Sequence, residues 1–287
     1  MLALAMALGS SLFWGLSDYL GGVRSRIFPV PVVLAMMYGS SLVVMAVFIA
    51  VRGEGPPGSE PIVAGLCSGL FGIAALACFY RALAIGTMSI VAPIASTGVA
   101  LPVLVGLATG DQPGALRSAG LAAAVVGVIL ASREHHDDAA AGTADPRVRR
   151  QSIVLAVIAG FGFGMYFVLA EVASSGDVGW ALLLSRIAAT PFVVAFTIRT
   201  LRRGGRRPHG SEYLALVVIG MLDLVANVLY NQATTIGELS TVAVASSLYP
   251  VMTVLLAAAL LGERVRGMQR VGVVVALSGV VLIAAGA

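Results

Sequence analysis

The chain has 287 residues, of which 59% are apolar and 11% charged, against roughly 45–50% and 25% in an average soluble domain. A water-soluble fold of this length has no interior large enough for so much apolar surface. The 18 basic residues are all arginine and give a net charge of +4, but they sit in short loops between apolar runs rather than on one face, which argues against a nucleic-acid partner.

Apolar runs between turn and charge clusters predict ten transmembrane helices, at about 2–20, 30–51, 61–80, 87–109, 115–132, 151–171, 178–199, 211–232, 240–261 and 266–286. Each is long enough, at ~1.5 Å per residue, to cross a hydrocarbon core of ~30 Å. The first run, Met1 to Tyr19, lacks the basic start and small-residue cleavage site of a signal peptide and reads as helix 1. It carries Trp14 at mid-depth among Ser10, Ser11 and Ser17; an aromatic there either stacks on a cargo or fills space. Asp18 lies nearer the first loop and reads as a gate residue or a helix-end acid.

In helix 3, Cys67 and Cys78 are eleven residues apart, ~16 Å along a helix, too far to form a disulfide. Helix 4 contains Pro93 and Pro102, which free the carbonyls of Ser89 and Gly98, and small polar residues gather there at Ser96 and Thr97. Helix 9 repeats the device with Pro250, which frees Ser246, beside Ser247 and Tyr249. Interrupted helices at corresponding places in two halves point to a binding site; the plainer reading is a pair of packing kinks. Helices 5 and 10 carry Gly120 with Gly127 and Gly272 with Gly279, small-residue faces suited to close helix contact, either between the halves or in a homodimer.

Residues 133–150 form the one long polar connector, with Arg133, Glu134, His135, His136, Asp137 and Asp138 and a basic end at Arg147, Arg149 and Arg150. Four adjacent polar residues in a linker are expected to be hydrated, so no metal site is assigned. Helix 6 places Tyr166 at a depth similar to that of Trp14. In helix 7, Arg186 lies thirteen residues before position 199, and in helix 8 Asp223 lies twelve after position 211. Antiparallel neighbours with those counts bring both side chains to one depth, ~18–20 Å from the loop, where they can pair. A mid-bilayer charge costs at least ~2.5–3.5 kcal/mol, so a partner is expected. The pair either pins helices 7 and 8 or leaves Asp223 as a proton or amine acceptor, with Arg186 tuning it or holding a substrate carboxylate. Helix 8 continues with Asn227, Tyr230, Asn231 and Thr234 along one stripe, which faces either a wet cavity or a hydrogen-bonded helix seam.

The two halves share a plan. Ala82 to Ser89 (ALAIGTMS) lies over Ala233 to Ser240 (ATTIGELS) at an offset of 151, and Gly110-Asp111, Gly120 and Gly127 lie over Gly262-Glu263, Gly272 and Gly279 at 152. A repeat of five spans begins its second copy on the opposite side of the membrane, so the halves are inverted, a habit of secondary transporters. Loops 1–2, 3–4, 5–6, 7–8 and 9–10 with their flanks hold fifteen arginines and the other face only Arg52 and Arg117, which by the positive-inside rule puts both termini outside.

Three stretches carry a resemblance: Leu12 to Gly22 (LFWGLSDYLGG), Phe79 to Ser96 (FYRALAIGTMSIVAPIAS) and Leu248 to Val265 (LYPVMTVLLAAALLGERV). In this order, followed by a Gly-rich last helix, they resemble the drug/metabolite transporter superfamily in its EamA-like, two-repeat branch. The resemblance implies ten helices around a central cavity and movement of small metabolites without ATP. It also implies termini in the cytoplasm, against the arginine count, and the position of Asp18 argues against the cation-antiport mechanism of the four-helix multidrug relatives.

The expected fold is thus all-α and polytopic, with ten transmembrane helices as two inverted five-helix repeats, 1–132 and 151–287, around a 133–150 linker. The expected function is a secondary or facilitative transporter of an amino acid or related metabolite in a bacterial inner membrane, by alternating access and in the export direction. The alternatives are a flippase for a lipid-linked sugar and, further off, a membrane transferase, which the placement of His135, His136 and His209 in loops disfavours. No Walker-type loop and no cofactor is expected. The expected partners are the small-molecule cargo, membrane lipid and a second copy through the glycine faces. The expected site comprises Trp14, Ser96, Thr97, Tyr166, Arg186, Asp223, Asn227, Asn231, Ser246, Ser247 and Tyr249, with Asp223 as the coupling candidate.

Overall fold

The computed structural model describes residues 1–86, 91, 94–131, 146–249, 251 and 267–286. Ser89, Pro93, Pro250, and His135 to Asp138 with the rest of the linker up to residue 145 lie outside the described residues, and so does the stretch 252–266.

The described helices are α1 (Leu2–Ser25), α2 (Val30–Arg52), α3 (Ser59–Ile85), α4 (Ala100–Thr109), α5 (Ala115–Ala131), α6 (Pro146–Ser174), α7 (Val178–Arg202), α8 (Ser211–Thr234), α9 (Leu239–Ser246) and α10 (Met268–Ala285), with a 3₁₀ turn at Thr97–Val99 ahead of α4. Among the described residues there is no strand. Five of these helices, α2, α3, α6, α7 and α8, are long and apolar enough to cross a membrane, while Ile94–Thr109, Ala115–Gly127 and Arg270–Ile283 are shorter apolar helices. α1 has 24 residues, but its run is diluted by Ser10, Ser11, Ser17 and Asp18.

Two boundaries differ from the sequence reading in ways that matter. α1 runs on to Ser25 instead of ending near 20, because Gly21 and Gly22 are helical, with Gly21 close against Tyr80, instead of breaking the chain. α6 starts at Pro146, not 151, so Arg147, Arg149 and Arg150 belong to a helix rather than to the polar linker. Proline suits the first helical turn because its missing N–H would be unpaired there in any case. Elsewhere the stops are ordinary: Gly53, with φ of 67°, closes α2, and the Asp177 carboxylate accepts from the Trp180 backbone N–H at 2.8 Å to cap α7.

The packing follows the repeat. α1 packs on α8 as α6 packs on α3, and α2 on α8 as α7 on α3, while α2 with α7, α4 with α9 and α5 with α10 each join helices of the same rank in the two halves. The glycines of α5 and α10 make the last of these contacts: a Cβ on Gly127 would fall 2.2 Å from the Ala276 backbone nitrogen, and one on Gly279 2.5 Å from that of Ala124. Of the two uses open to these glycine faces, the contact between halves is the one seen within a single chain.

Candidate functional site

A small cavity lies between the halves, and its walls come from α1 (Trp14, Asp18), α2 (Tyr38), α3 (Gly72, Leu76), α6 (Phe163, Tyr166, Phe167), α8 (Asp223, Asn227) and Tyr249, just beyond α9. Of the residues singled out in the sequence, Trp14, Tyr166, Asp223, Asn227 and Tyr249 line it. Gly72 and Leu76 are the α3 counterparts of Asp223 and Asn227 at the repeat offset, so one half supplies a polar wall where the other supplies an apolar one.

Arg186 and Asp223 are paired, Nη2 to Oδ2 at 2.9 Å, with side-chain exposures of 3% and 10%. The guanidinium lies over the Tyr38 ring at 4.5 Å from its centre. Asp223 and Tyr38 line the cavity, whereas Arg186 stands behind them and is not among its lining residues.

Below Asp223 the stripe of α8 becomes a ladder. The Asn227 amide donates to the Asp223 carbonyl at 2.6 Å, the Asn231 amide to the Asn227 carbonyl at 2.8 Å, and the Thr234 hydroxyl to the Asn231 carbonyl at 2.8 Å. Two bonds from α6 tie it sideways: the Tyr166 hydroxyl donates to Asn227 Oδ1, and the Ser174 hydroxyl to Asn231 Oδ1 at 2.6 Å. The stripe divides along its length. Asp223 and Asn227 face the cavity; Asn231 and Thr234 are a buried seam between α6 and α8.

Trp14 joins an aromatic cluster, with its ring centre 5.7 Å from Phe167 and 5.6 Å from Tyr230, while Phe167 and Tyr230 are 4.8 Å apart. The Tyr230 hydroxyl donates to the Phe167 carbonyl at 3.0 Å, so this tyrosine is structural.

Of the described residues around the expected interruptions, Tyr249 alone reaches the cavity. The chain is 3₁₀ over Thr97–Val99, where Pro102 leaves the Gly98 carbonyl without its helical donor. That turn presses on α6 so closely that a Cβ on Gly98 would fall 2.0 Å from the Gly160 carbonyl oxygen. α9 stops at Ser246, and Ser247 and Leu248 form a turn with N–H bonds to Ala243 and Ala245. Ser96, Thr97, Ser246 and Ser247 do not line the cavity. Thr97 donates to the Ile94 carbonyl at 2.7 Å, Ser247 to that of Val244 at 2.8 Å and Ser246 to that of Ala7 at 3.4 Å, so these three hydroxyls serve helix packing.

Asp18 is the residue whose place differs most from the sequence reading. It lines the cavity and accepts from the Tyr80 hydroxyl at 3.3 Å, seven residues inside α1, because the helix continues to Ser25. The signal was available in Gly21-Gly22, which need not stop a helix that packs closely on a neighbour. Tyr38, Phe163 and Phe167 were also missed; an aromatic in an apolar run carries no mark of which side it faces.

On the arginine-poor face, ion pairs join the halves. Arg52 at the end of α2 meets Asp177 at 3.0 Å and also Glu54, and Arg117 at the start of α5 meets Glu238 at 2.5 Å. A second cleft, lined by Val44, Phe48, Leu182, Val225 and Val228 among others, lies between α2, α7 and α8. It lies on the other face of α8 and shares no lining residue with the central cavity.

Membrane-length helices that close around a polar, aromatic-walled cavity have the build of a membrane carrier. A model of the EamA-like transporter family matches residues 1–133 and 150–285. The chain belongs to that family and is a multi-pass membrane transporter of the drug/metabolite type. One solved crystal structure superposes with a TM-score of 0.76 over 98% of this chain and 96% of its own at 18% identity, which is a likeness of fold. No curated protein matches the chain.

Proposed function

We propose that the protein is a secondary carrier that exports a small metabolite, an amino acid or a related compound, across a bacterial inner membrane by alternating access. The observation that carries this reading is the Asp223–Arg186 pair with Asn227, buried where both halves meet around the central cavity. Polar groups at that depth are costly in lipid and mark substrate or ion paths. In this reading ten spans form two inverted halves, which accords with the way each α1–α8 type contact has its counterpart in the other half. Rocking of the halves about the cavity would then expose it to each side in turn.

The second cleft shares no lining residue with the cavity, so it does not extend the cavity towards a lipid-linked cargo. The test is transport by the purified protein in proteoliposomes across a panel of amino acids, amines and sugars. Asp223→Asn, which keeps the shape of the side chain, is expected to abolish movement of any cargo that wild type carries, with an unchanged size-exclusion profile. Wild-type rates in that variant would remove Asp223 from the mechanism.

A further inference from the structure

The second cleft is graded along its depth. Towards the arginine-poor face it is lined by Arg52, Asp177 and Gln232, and deeper by Val44 of α2, Leu182 of α7 and Val225 of α8. From Arg52 to Val44 on α2, and from Gln232 to Leu224 on α8, the walls run eight residues, ~12 Å along each helix and close to the depth of one leaflet of a ~30 Å core. The apolar wall is not covered by protein: Val44, Phe48 and Val225 are 44%, 46% and 40% exposed. At the polar end the Trp180 indole N–H donates to the Glu54 carbonyl at 3.3 Å, an aromatic of the kind that sits at headgroup level. The charges there do not cancel. Arg52 donates to both carboxylate oxygens of Asp177, at 3.3 and 3.0 Å, and also to Glu54, so one base meets two acids. These bonds use Nη1 and Nη2 and leave the Nε–H outside them. Gly179 makes room for the guanidinium, since a Cβ there would fall 3.1 Å from Arg52 Nη1. Gln232, whose Nε2 donates to the Thr235 hydroxyl at 3.3 Å, adds a carbonyl oxygen.

We propose that this cleft seats one phospholipid, phosphatidylethanolamine, with an acyl chain along the apolar wall and the headgroup at Arg52, Asp177 and Glu54. A polar end and an apolar wall one leaflet deep match a lipid in register with the bilayer, and the charges choose the headgroup. The phosphate meets the guanidinium, and the primary ammonium, with three N–H donors, meets the two carboxylates and the Gln232 carbonyl. Phosphatidylglycerol would bring a net negative charge to a cluster in which acids already outnumber bases. Phosphatidylcholine would bring a cation with no N–H to donate. The lipid lies across the boundary between the halves, because α2 belongs to the first and α7 and α8 to the second, and it meets them where the Arg52–Asp177 pair joins them. Nothing in this depends on the central cavity being the cargo site, since the cleft is built on the other face of α8.

The experiment is native mass spectrometry of the full chain, delipidated in detergent and titrated with palmitoyl-oleoyl phosphatidylethanolamine, phosphatidylglycerol and phosphatidylcholine. One phosphatidylethanolamine per chain is expected to bind at least about tenfold more tightly than either of the other lipids. Free phosphoethanolamine, which has the headgroup without the chains, should not displace it. Val228→Trp puts an indole into the apolar wall and should weaken that first binding step by about tenfold or more. Val218→Trp, also exposed on α8 but outside the cleft, should bind as wild type does. Glu54→Gln, at an exposed side chain, removes the surplus acid, so the preference for phosphatidylethanolamine over phosphatidylglycerol should shrink to about threefold or less. Equal affinity for the three lipids, tighter binding of either of the others, or an unchanged first step in Val228→Trp would mean ordinary solvation by lipid and overturns the inference. Displacement by phosphoethanolamine, or an undiminished preference in Glu54→Gln, overturns it as well.

Discussion

Placing a guanidinium and a carboxylate together inside the bundle exchanges two hydration shells for one ion pair, and each partner then depends on the other. Arg186 and Asp223 are both almost fully enclosed, so Arg186→Ala leaves a buried carboxylate without its counter-ion, a change that costs about 3–5 kcal/mol in comparable sites. A marked fall in the thermal midpoint of the purified protein is expected, measured by the loss of a monodisperse size-exclusion peak after heating. Arg186→Leu combined with Asp223→Leu should recover much of that loss while transport stays abolished, because two apolar side chains leave no buried charge unmatched. A double variant no more stable than Arg186→Ala would mean that the pair is needed for the fold itself. The pair was legible in the sequence because two charges at equal depth in adjacent spans have few other solutions. The Tyr38 ring under Arg186 was not, since α2 meets α7 across the repeat boundary and no local spacing encodes that contact. Asp18 was misjudged for a smaller reason: a helix end placed five residues early moved it ~7 Å towards the surface.

Among elements, the seam of α5 and α10 is the tightest statement the sequence makes, and it was readable as small residues seven apart on facing helices. At Gly127 a side chain has nowhere to go, with the Ala276 nitrogen 2.2 Å and its Cα 2.5 Å from the position of a Cβ. Overpacking of this kind typically costs about 1–3 kcal/mol, and backbone rather than a flexible side chain stands in the way here. Gly127→Leu is therefore expected to lower the thermal midpoint, whereas Gly39→Leu, on α2 with open space around its Cβ position, should leave it near wild type. Equal midpoints in the two variants would mean that α5 and α10 are not packed through their glycines. Proline logic located the 3₁₀ turn ahead of α4, since the donor missing at Pro102 is a property of the residue itself. It did not reveal that the polar residues around the 3₁₀ turn bond to their own helix, because a hydroxyl next to a freed carbonyl can serve either a cargo or the backbone.

At the scale of the whole molecule, the alternating access proposed above requires two ways for the bundle to lean, and something must bias it towards one. The candidates are the ion pairs on the arginine-poor face: Arg52 of the first half reaches Asp177 of the second, and Arg117 of the first reaches Glu238 of the second. Partly exposed pairs are individually weak and screened by salt, so neither is expected to hold the fold together. Acting in concert across the same boundary they favour the arrangement in which that face is drawn closed, and small energies suffice when two conformations lie close in free energy. Arg52→Gln with Arg117→Gln should therefore leave the thermal midpoint nearly unchanged but shift the conformational balance. With Cys67 and Cys78 replaced by serine and spin labels on Gly55→Cys and Ser175→Cys, both in exposed turns of that face, dipolar spectroscopy should report a population several ångströms longer in the double variant. High salt should produce the same shift in the arginine-containing protein and little further change in the variant. Identical distance distributions under all these conditions would reduce the two pairs to surface decoration, and the bias between the two arrangements would have to come from the cavity and its cargo.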